Sequence, residues 1–198
     1  MARMAPADAT PISCFTPLRH SYLRRESMDA LRIRELTPAD IEALLAFETL
    51  NREWFESHID PRPPSFYSTQ GVAEHIEGYL ADHAEGVWHG FVIEDAEGQI
   101  IGRANLKSID AASGTAEVGY RIAEHACGQG LATEALRFLI DYAKRRLGLV
   151  QLVAYAYDSN VGSQKVLTRC GFVADQATDD EAEDGTTRFV LALVSESA

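Results

Sequence analysis

The stretch from Val87 to Ile122, VWHGFVIEDAEGQIIGRANLKSIDAASGTAEVGYRI, alternates apolar and polar residues over three segments, 87 to 94, 99 to 109 and 115 to 122. A period of two is that of a half-buried strand, and the joins DAEG and AASG are turn-forming. Short turns make the three strands an antiparallel meander. The pattern then breaks at HACGQG and resumes with helical spacing in LATEALRFLIDYAKRRLG, which predicts a helix over about 131 to 147 stopped at Gly148. LVQLVAYAY reads as a strand and about 160 to 170 as a helix ended by Gly171. FVADQA and TRFVLALV read as two further strands around the acidic loop TDDEAEDG. Upstream, LRIREL is a strand. TPADIEALLAF opens a helix, with Thr37 as N-cap, Pro38 in the first helical position and Asp40 at the positive end of the dipole. STQGVAEHIEGYLADHAEG is a second helix, with Val72, Ile76 and Leu80 on one face. The order β-α-α-β-β-β-α-β-α-β-β is an α/β domain with a mixed sheet.

The 198 residues suffice for one domain with a core, and 46% hydrophobic with 24% charged residues is a soluble globular composition. No apolar run reaches the length of a membrane span. The net charge of -12 argues against a nucleic-acid surface. It suits solubility, and it is compatible with cationic substrates. Cys14, Cys127 and Cys170 form no disulfide framework, and neither they nor the six histidines have metal-ligand spacing. The expectation is a reducing, cytoplasmic setting with no metal and no membrane partner. Residues 1–27 lack periodicity and hold three of the seven prolines. They read as a disordered extension or a mis-assigned start ahead of a domain over 28–198.

Two glycines, one residue apart, stand at the start of the helix from 131, where they lower helix propensity. Successive amides from Cys127 to Ala132 can converge on an anion at the helix's positive end. The plainer alternative is a tight turn. A dinucleotide fingerprint is one residue short here and lacks its context, a βαβ unit with an acid about 20 positions on.

His125-Ala-Cys-Gly128-Gln-Gly130 resembles the acetyl-CoA-binding motif [Q/R]-x-x-G-x-[G/A] of the GNAT acetyltransferase superfamily. DSNVGSQKVLTRCGF resembles its partner motif N-x-x-S-x-x-V-L-x-x-x-G-F, on Asn160, Ser163, Leu167, Gly171 and Phe172. AEVGYRI, GLATEAL and NREWFESHIDPRPPS resemble the ribosomal-protein (RimJ/RimL-type) branch. The resemblance runs from about Leu31 to Val194.

It implies a single-domain acyl-CoA N-acyltransferase fold, a mostly antiparallel mixed sheet with a central splayed parallel pair, flanked by helices. It implies that the pantetheine arm pairs with the backbone of Val118, Gly119, Tyr120, Arg121 and Ile122. His125, Cys127, Gly128, Gln129, Gly130, Leu131, Ala132 and Thr133 would hold the pyrophosphate, and Asn160 would bond the arm. Ser163 would sit near the thioester sulfur and protonate it directly or by ordering a water. Glu117 is the first candidate base, with a solvent-facing strand carboxylate as its plain alternative; His89 and His58 come second. Trp54, Phe55 and the 61 to 64 proline segment would line the acceptor side, unless the two aromatics are core. The loop Asp179 to Asp184 would steer a cation or be a solvated tip. There are departures from the pattern. His125 replaces Arg or Gln, Cys127 replaces an aromatic and reads as packing, and Leu167 stands where many relatives have a tyrosine acid.

The implied activity is acetyl transfer from acetyl-CoA to an amine by direct attack. The expected acceptor is a protein N-terminus of the ribosomal-protein type, and the expected state is a monomer or homodimer. A small amine (polyamine or antibiotic) and a non-catalytic acyl-CoA-binding module stay open as alternatives. A peptide acceptor implies an open groove near Trp54; a small amine implies a closed acidic pocket.

Overall fold

The computed structural model describes residues 31–175 and 185–193. The extension 1–27, Cys14 and the acidic loop Asp179 to Asp184 lie outside the described residues. The strands are β1 (Arg32–Glu35), β2 (His89–Glu94), β3 (Ile100–Asp110), β4 (Thr115–Ile122), β5 (Gln151–Tyr157), β6 (Val173–Ala174) and β7 (Thr186–Ala192). The helices are α1 (Ile41–Leu50), α2 (Arg52–Glu56), α3 (Thr69–Ala84), α4 (Leu131–Arg146) and α5 (Val161–Arg169).

One seven-stranded sheet runs β1-β2-β3-β4-β5-β7-β6. Every pairing is antiparallel except β4 with β5. The reason lies in the connections. Hairpin turns join β2, β3 and β4, whereas α4 carries the chain back between β4 and β5, and a helical crossover returns a strand parallel. Two expectations need correction. The FVADQA strand is described over Val173–Ala174 alone, and the aromatic stretch after α1 contains the extra short helix α2.

Strand alternation separates two faces. On one, Phe91 of β2 packs edge-on against Phe138 and Tyr142 of α4, with ring centroids 4.9 and 5.0 Å apart. Leu136 and Leu139 of the same helix are fully buried. On the other, α1 buries Leu44 and Phe47, and α3 buries Val72, Ile76 and Tyr79. Thr37 and Asp40 behave as the sequence suggests. The Asp40 carboxylate accepts from the Thr37 amide at 2.8 Å and from Arg34 of β1 at 2.6 and 2.8 Å. Burial alone would raise the Asp40 pKa, but the Arg34 and Thr37 hydrogen bonds outweigh it and hold the carboxyl below its usual range.

Tyr79 rests on bare backbone. A Cβ added at Gly90 would lie 1.8 Å from the Tyr79 ring. Gly90→Ala is therefore expected to destabilise the protein by about 1–3 kcal/mol through overpacking. Urea unfolding of the two proteins side by side measures it, and equal midpoints would contradict the close packing.

Candidate active site

The parallel pairing of β4 with β5 covers only Thr115↔Gln151, Ala116↔Leu152 and Glu117↔Val153. Beyond that each strand stays with its outer partner: β4 with β3 as far as Ile122↔Gly102, β5 with β7 as far as Tyr157↔Thr186. Their facing edges part. The Ala123 amide donates to the Ile101 carbonyl at 2.9 Å, which makes that pair hydrogen-bonded across β3 and β4. By antiparallel alternation, Val118, Tyr120 and Ile122 turn their backbone groups into the gap. The indole N–H of Trp54 takes the Ile122 carbonyl at 3.2 Å.

Past β4 the chain makes a tight turn at Glu124–Ala126 and enters the glycine loop. Gly128 and Gly130 have φ of +74° and +92°, left-handed values that disfavour side chains. No atom lies within 4 Å of where either Cβ would stand, so backbone conformation, not crowding, calls for glycine, and the space above the loop is open. The amides of Thr133 and Glu134 both bond the Gly130 carbonyl. This leaves the amides of Gly128 to Ala132 outside the helix's own ladder, at the positive end of α4. His125 is exposed, and its carbonyl accepts from the Gln129 side chain at 3.2 Å. The Cys127 thiol donates to the Ala123 carbonyl at 3.3 Å, and burial and the nearby Glu124 push its pKa up.

A cavity of about 670 Å³ occupies the gap, bordered by Glu117 to Arg121, by Ala154 to Tyr157, and by Asn160, Ser163 and Leu167 of the α5 region. Asn160 caps α5, its side-chain oxygen accepting from the Ser163 amide at 3.0 Å. The Ser163 hydroxyl lies 3.0 Å from the Tyr120 hydroxyl. Burial pushes the Tyr120 phenol up to about 12 against the opposing pull of Ser163.

The opposite face of β4 continues the cavity wall. Cross-strand pairs Lys107↔Glu117, Asn105↔Gly119 and Arg103↔Arg121 line up there. Lys107 Nζ lies 2.5 Å from the Glu117 carboxylate. Behind Arg103 and Arg121 sits Glu48 of α1, fully buried, with Arg103 at 3.0 Å, Arg121 at 2.9 Å and Arg62 at 3.8 Å. Burial would raise the Glu48 pKa; the charges of Arg121, Arg103 and Arg62 outweigh it and hold the carboxyl below its usual range. Desolvation lowers Arg121 to about 10. His75 of α3, 3.4 Å from both terminal nitrogens of Arg103, is pushed down to about 3 by burial and then by the arginines.

Not every residue singled out from the sequence lines this cavity. Glu117, Val118, Gly119, Tyr120, Arg121, Asn160, Ser163 and His58 do. His89 instead bonds Tyr142 at 3.1 Å on the α4 side. Phe55 is buried against Phe47 at 5.3 Å, a core contact, and Trp54 serves Ile122. From their segment it is His58, Ile59, Asp60 and Arg62 that reach the cavity. Sequence reasoning missed Glu48, His75, Arg103 and the Tyr120 side chain; Arg62 falls in the 61 to 64 segment expected on the acceptor side, though its charge was not singled out. One signal was available: Glu48 falls on the same helix face as Leu44, where a carboxylate needs a buried cation.

Residues 30–173 match the family described as "Acetyltransferase (GNAT) domain". The chain belongs to the GNAT acetyltransferase family. It is an acetyl-CoA-dependent N-acetyltransferase of that type. A relative named "Probable N-acetyltransferase YjcK", from Bacillus subtilis, is 30% identical over 142 residues, 71% of this chain and 78% of that one. The structure of a ribosomal-protein-S5-alanine acetyltransferase from Vibrio fischeri superposes with a TM-score of 0.75 at 20% identity, covering 82% of this chain and 93% of that one. A spermidine N-acetyltransferase from Vibrio cholerae, in complex with CoA and spermine, gives 0.66 at 23% identity, covering 83% and 96%. These two likenesses are to the GNAT fold. The open edge of β4, the loop amides and the Asn160 amide nitrogen fit an acyl-CoA, whose arm carries amides and whose pyrophosphate carries charge. Among the described residues no helix is long and apolar enough to cross a membrane, and no three metal-ligating side chains cluster.

The buried cluster sets a pH dependence. His75 has a folded pKa below its ordinary 6.5 and Glu48 one below 4.5, so the unfolded chain binds more protons than the folded one on the acid side. Their contribution is present above those values and is lost as pH falls. Thermal stability is expected to drop between pH 6.5 and 4.5, and His75→Gln to flatten that drop. Calorimetric melting of both proteins across the interval tests it; parallel curves would rule His75 out as the source.

Proposed function

We propose that this N-acetyltransferase modifies a protein N-terminal amine, of the ribosomal-protein type, in the cytoplasm. The observation that carries the reading is the cavity that starts at the open β4 edge and runs past Glu117 to the His58–Arg62 segment. It gives room for a chain behind the reacting amine.

Bound acetyl-CoA supplies the thioester carbonyl that the amine attacks. Glu117, on the β4 face that carries the cavity wall, takes the proton the nitrogen gives up, directly or through a water. The incoming ammonium competes there with Lys107, which sits against the same carboxylate. The sulfur departs as a thiolate that accepts a hydrogen bond from the Ser163 hydroxyl and takes its proton from a water ordered there, and Tyr120, which keeps its own proton through the working range, donates to Ser163 and holds its hydroxyl in place. Val118 and Tyr120 orient the donor by backbone pairing; Gly119 and Arg121, expected from the sequence to do the same, have their backbone groups turned to β3 instead.

Glu117→Gln is expected to lower kcat by about 10²-fold or more, with the Kd for acetyl-CoA unchanged. Tyr120→Phe is expected to cost less, and to add little once Ser163→Ala is present, because the two hydroxyls act as a unit. CoA release with peptides bearing free Ala, Ser or Met N-termini, spermidine and an aminoglycoside checks the acceptor. Turnover confined to the last two would overturn the N-terminal reading.

A further inference from the structure

The acceptor side of the cavity collects cations in a chain that is acidic overall. Thirty Asp and Glu stand against eighteen Lys and Arg in the sequence. Yet Arg62, Arg103 and Arg121 converge on the single carboxylate of Glu48. Its two oxygens are taken by Arg103 and Arg121. Arg62 is left at 3.8 Å, and its buried Nε has no hydrogen-bond partner. The other charges on the wall do not close the deficit. Lys107 and Glu117 cancel each other, Asp60 is exposed and offsets one guanidinium at most, and His75 brings an imidazole rather than an anion. A buried cluster of like charges is costly until an anion joins it. Arg62 and Arg121 keep 23% and 22% of their side chains exposed, so both can meet one from the cavity.

We propose that the acceptor carries a carboxylate close to its reacting amine, and that Arg62, Arg103 and Arg121 are its seat. The proposal rests on the N-terminal acceptor reading and adds the acceptor's charge. Glu117, Gly119 and Arg121 share one face of β4, spaced about 7 Å per two residues. At the level of Gly119 the buried Asn105 side-chain oxygen has no donor, and a Cβ on Gly119 would come within 2.8 Å of it. An amine held at Asn105, and reaching Glu117 through a water, then stands about 7 Å from the arginine level. An acidic side chain on the second residue of an extended peptide spans that distance. A polyamine would put a second ammonium against the guanidiniums and be repelled.

The test uses the full chain saturated with CoA. Calorimetry measures its affinity for Ser-Asp, Ser-Asn and Ser-Lys peptides of otherwise identical sequence, for δ-aminovalerate and for spermidine. Ser-Asp is expected to bind at least about tenfold tighter than Ser-Asn, with the preference shrinking as salt is added. Arg62→Gln, outside the direct Glu48 hydrogen bonds, is expected to erase the preference and leave the Kd for CoA in place; Arg62→Lys should retain most of it. Equal binding of Ser-Asp and Ser-Asn, tighter binding of Ser-Lys or spermidine, or no binding by any of the five overturns the seat. δ-Aminovalerate binding as tightly as Ser-Asp supports the seat with a small amino acid as its source. Turnover is scored separately with acetyl-CoA. Carboxylate preference without peptide turnover keeps the seat and removes the N-terminal reading; peptide turnover without preference does the reverse.

Discussion

Two strands that pair for three residues and then separate set the terms for the rest of this molecule. Inside a sheet, an unpaired edge is normally covered or blunted, because its amides and carbonyls seek partners. Here β4 and β5 are each held along the other edge, by β3 and β7, so their parting leaves the outer pairings of both intact. The two sides of β4 are thereby divided. The backbone of Val118 and Tyr120 faces the gap, while the side chains of Glu117, Gly119 and Arg121 form part of a wall shared with β3. One strand can present a donor molecule to one side of the reaction and hold the acceptor from another.

The buried ion cluster links that wall to the helices. Glu48 comes from α1, Arg103 from β3 and Arg121 from β4, so the position of α1 is registered against the centre of the sheet by charge as well as by packing. Such clusters add little net stability, because desolvation consumes most of the Coulomb attraction. Their geometric demand is strict, since displacing any one member strands the others. Tyr79 and His75 complete the enclosure from α3, which places two further helix residues on the cavity wall.

The element order was legible because it rests on local patterns: the period-two meander, the glycine entry to α4, and the Thr37 and Asp40 start signal. The left-handed glycines of the loop and the Asn160 cap over Ser163 were legible because they sit at fixed offsets from a helix start. Glu48 and Arg103 were not, because each is ordinary in its own segment and acquires meaning only from partners tens of residues away. Tyr120 shows the same limit within one residue. The motif points to its backbone, while its hydroxyl meets Ser163, 43 positions on. Phe55 and Trp54 show the converse: two adjacent aromatics suggest a binding surface, and tertiary packing sends one into the core and the other to the end of β4. The short β6 reflects how weakly a brief apolar run specifies strand length.

The bond from Trp54 to the Ile122 carbonyl makes the open edge of β4 finite. An extended chain laid along that edge meets free carbonyls at Val118 and Tyr120, then an acceptor already occupied by an indole. Sliding by one pleat in that direction would trade a hydrogen bond for a collision. On the proposed reading Trp54 would work as an end-stop, fixing the register of a docked chain from outside the strand itself.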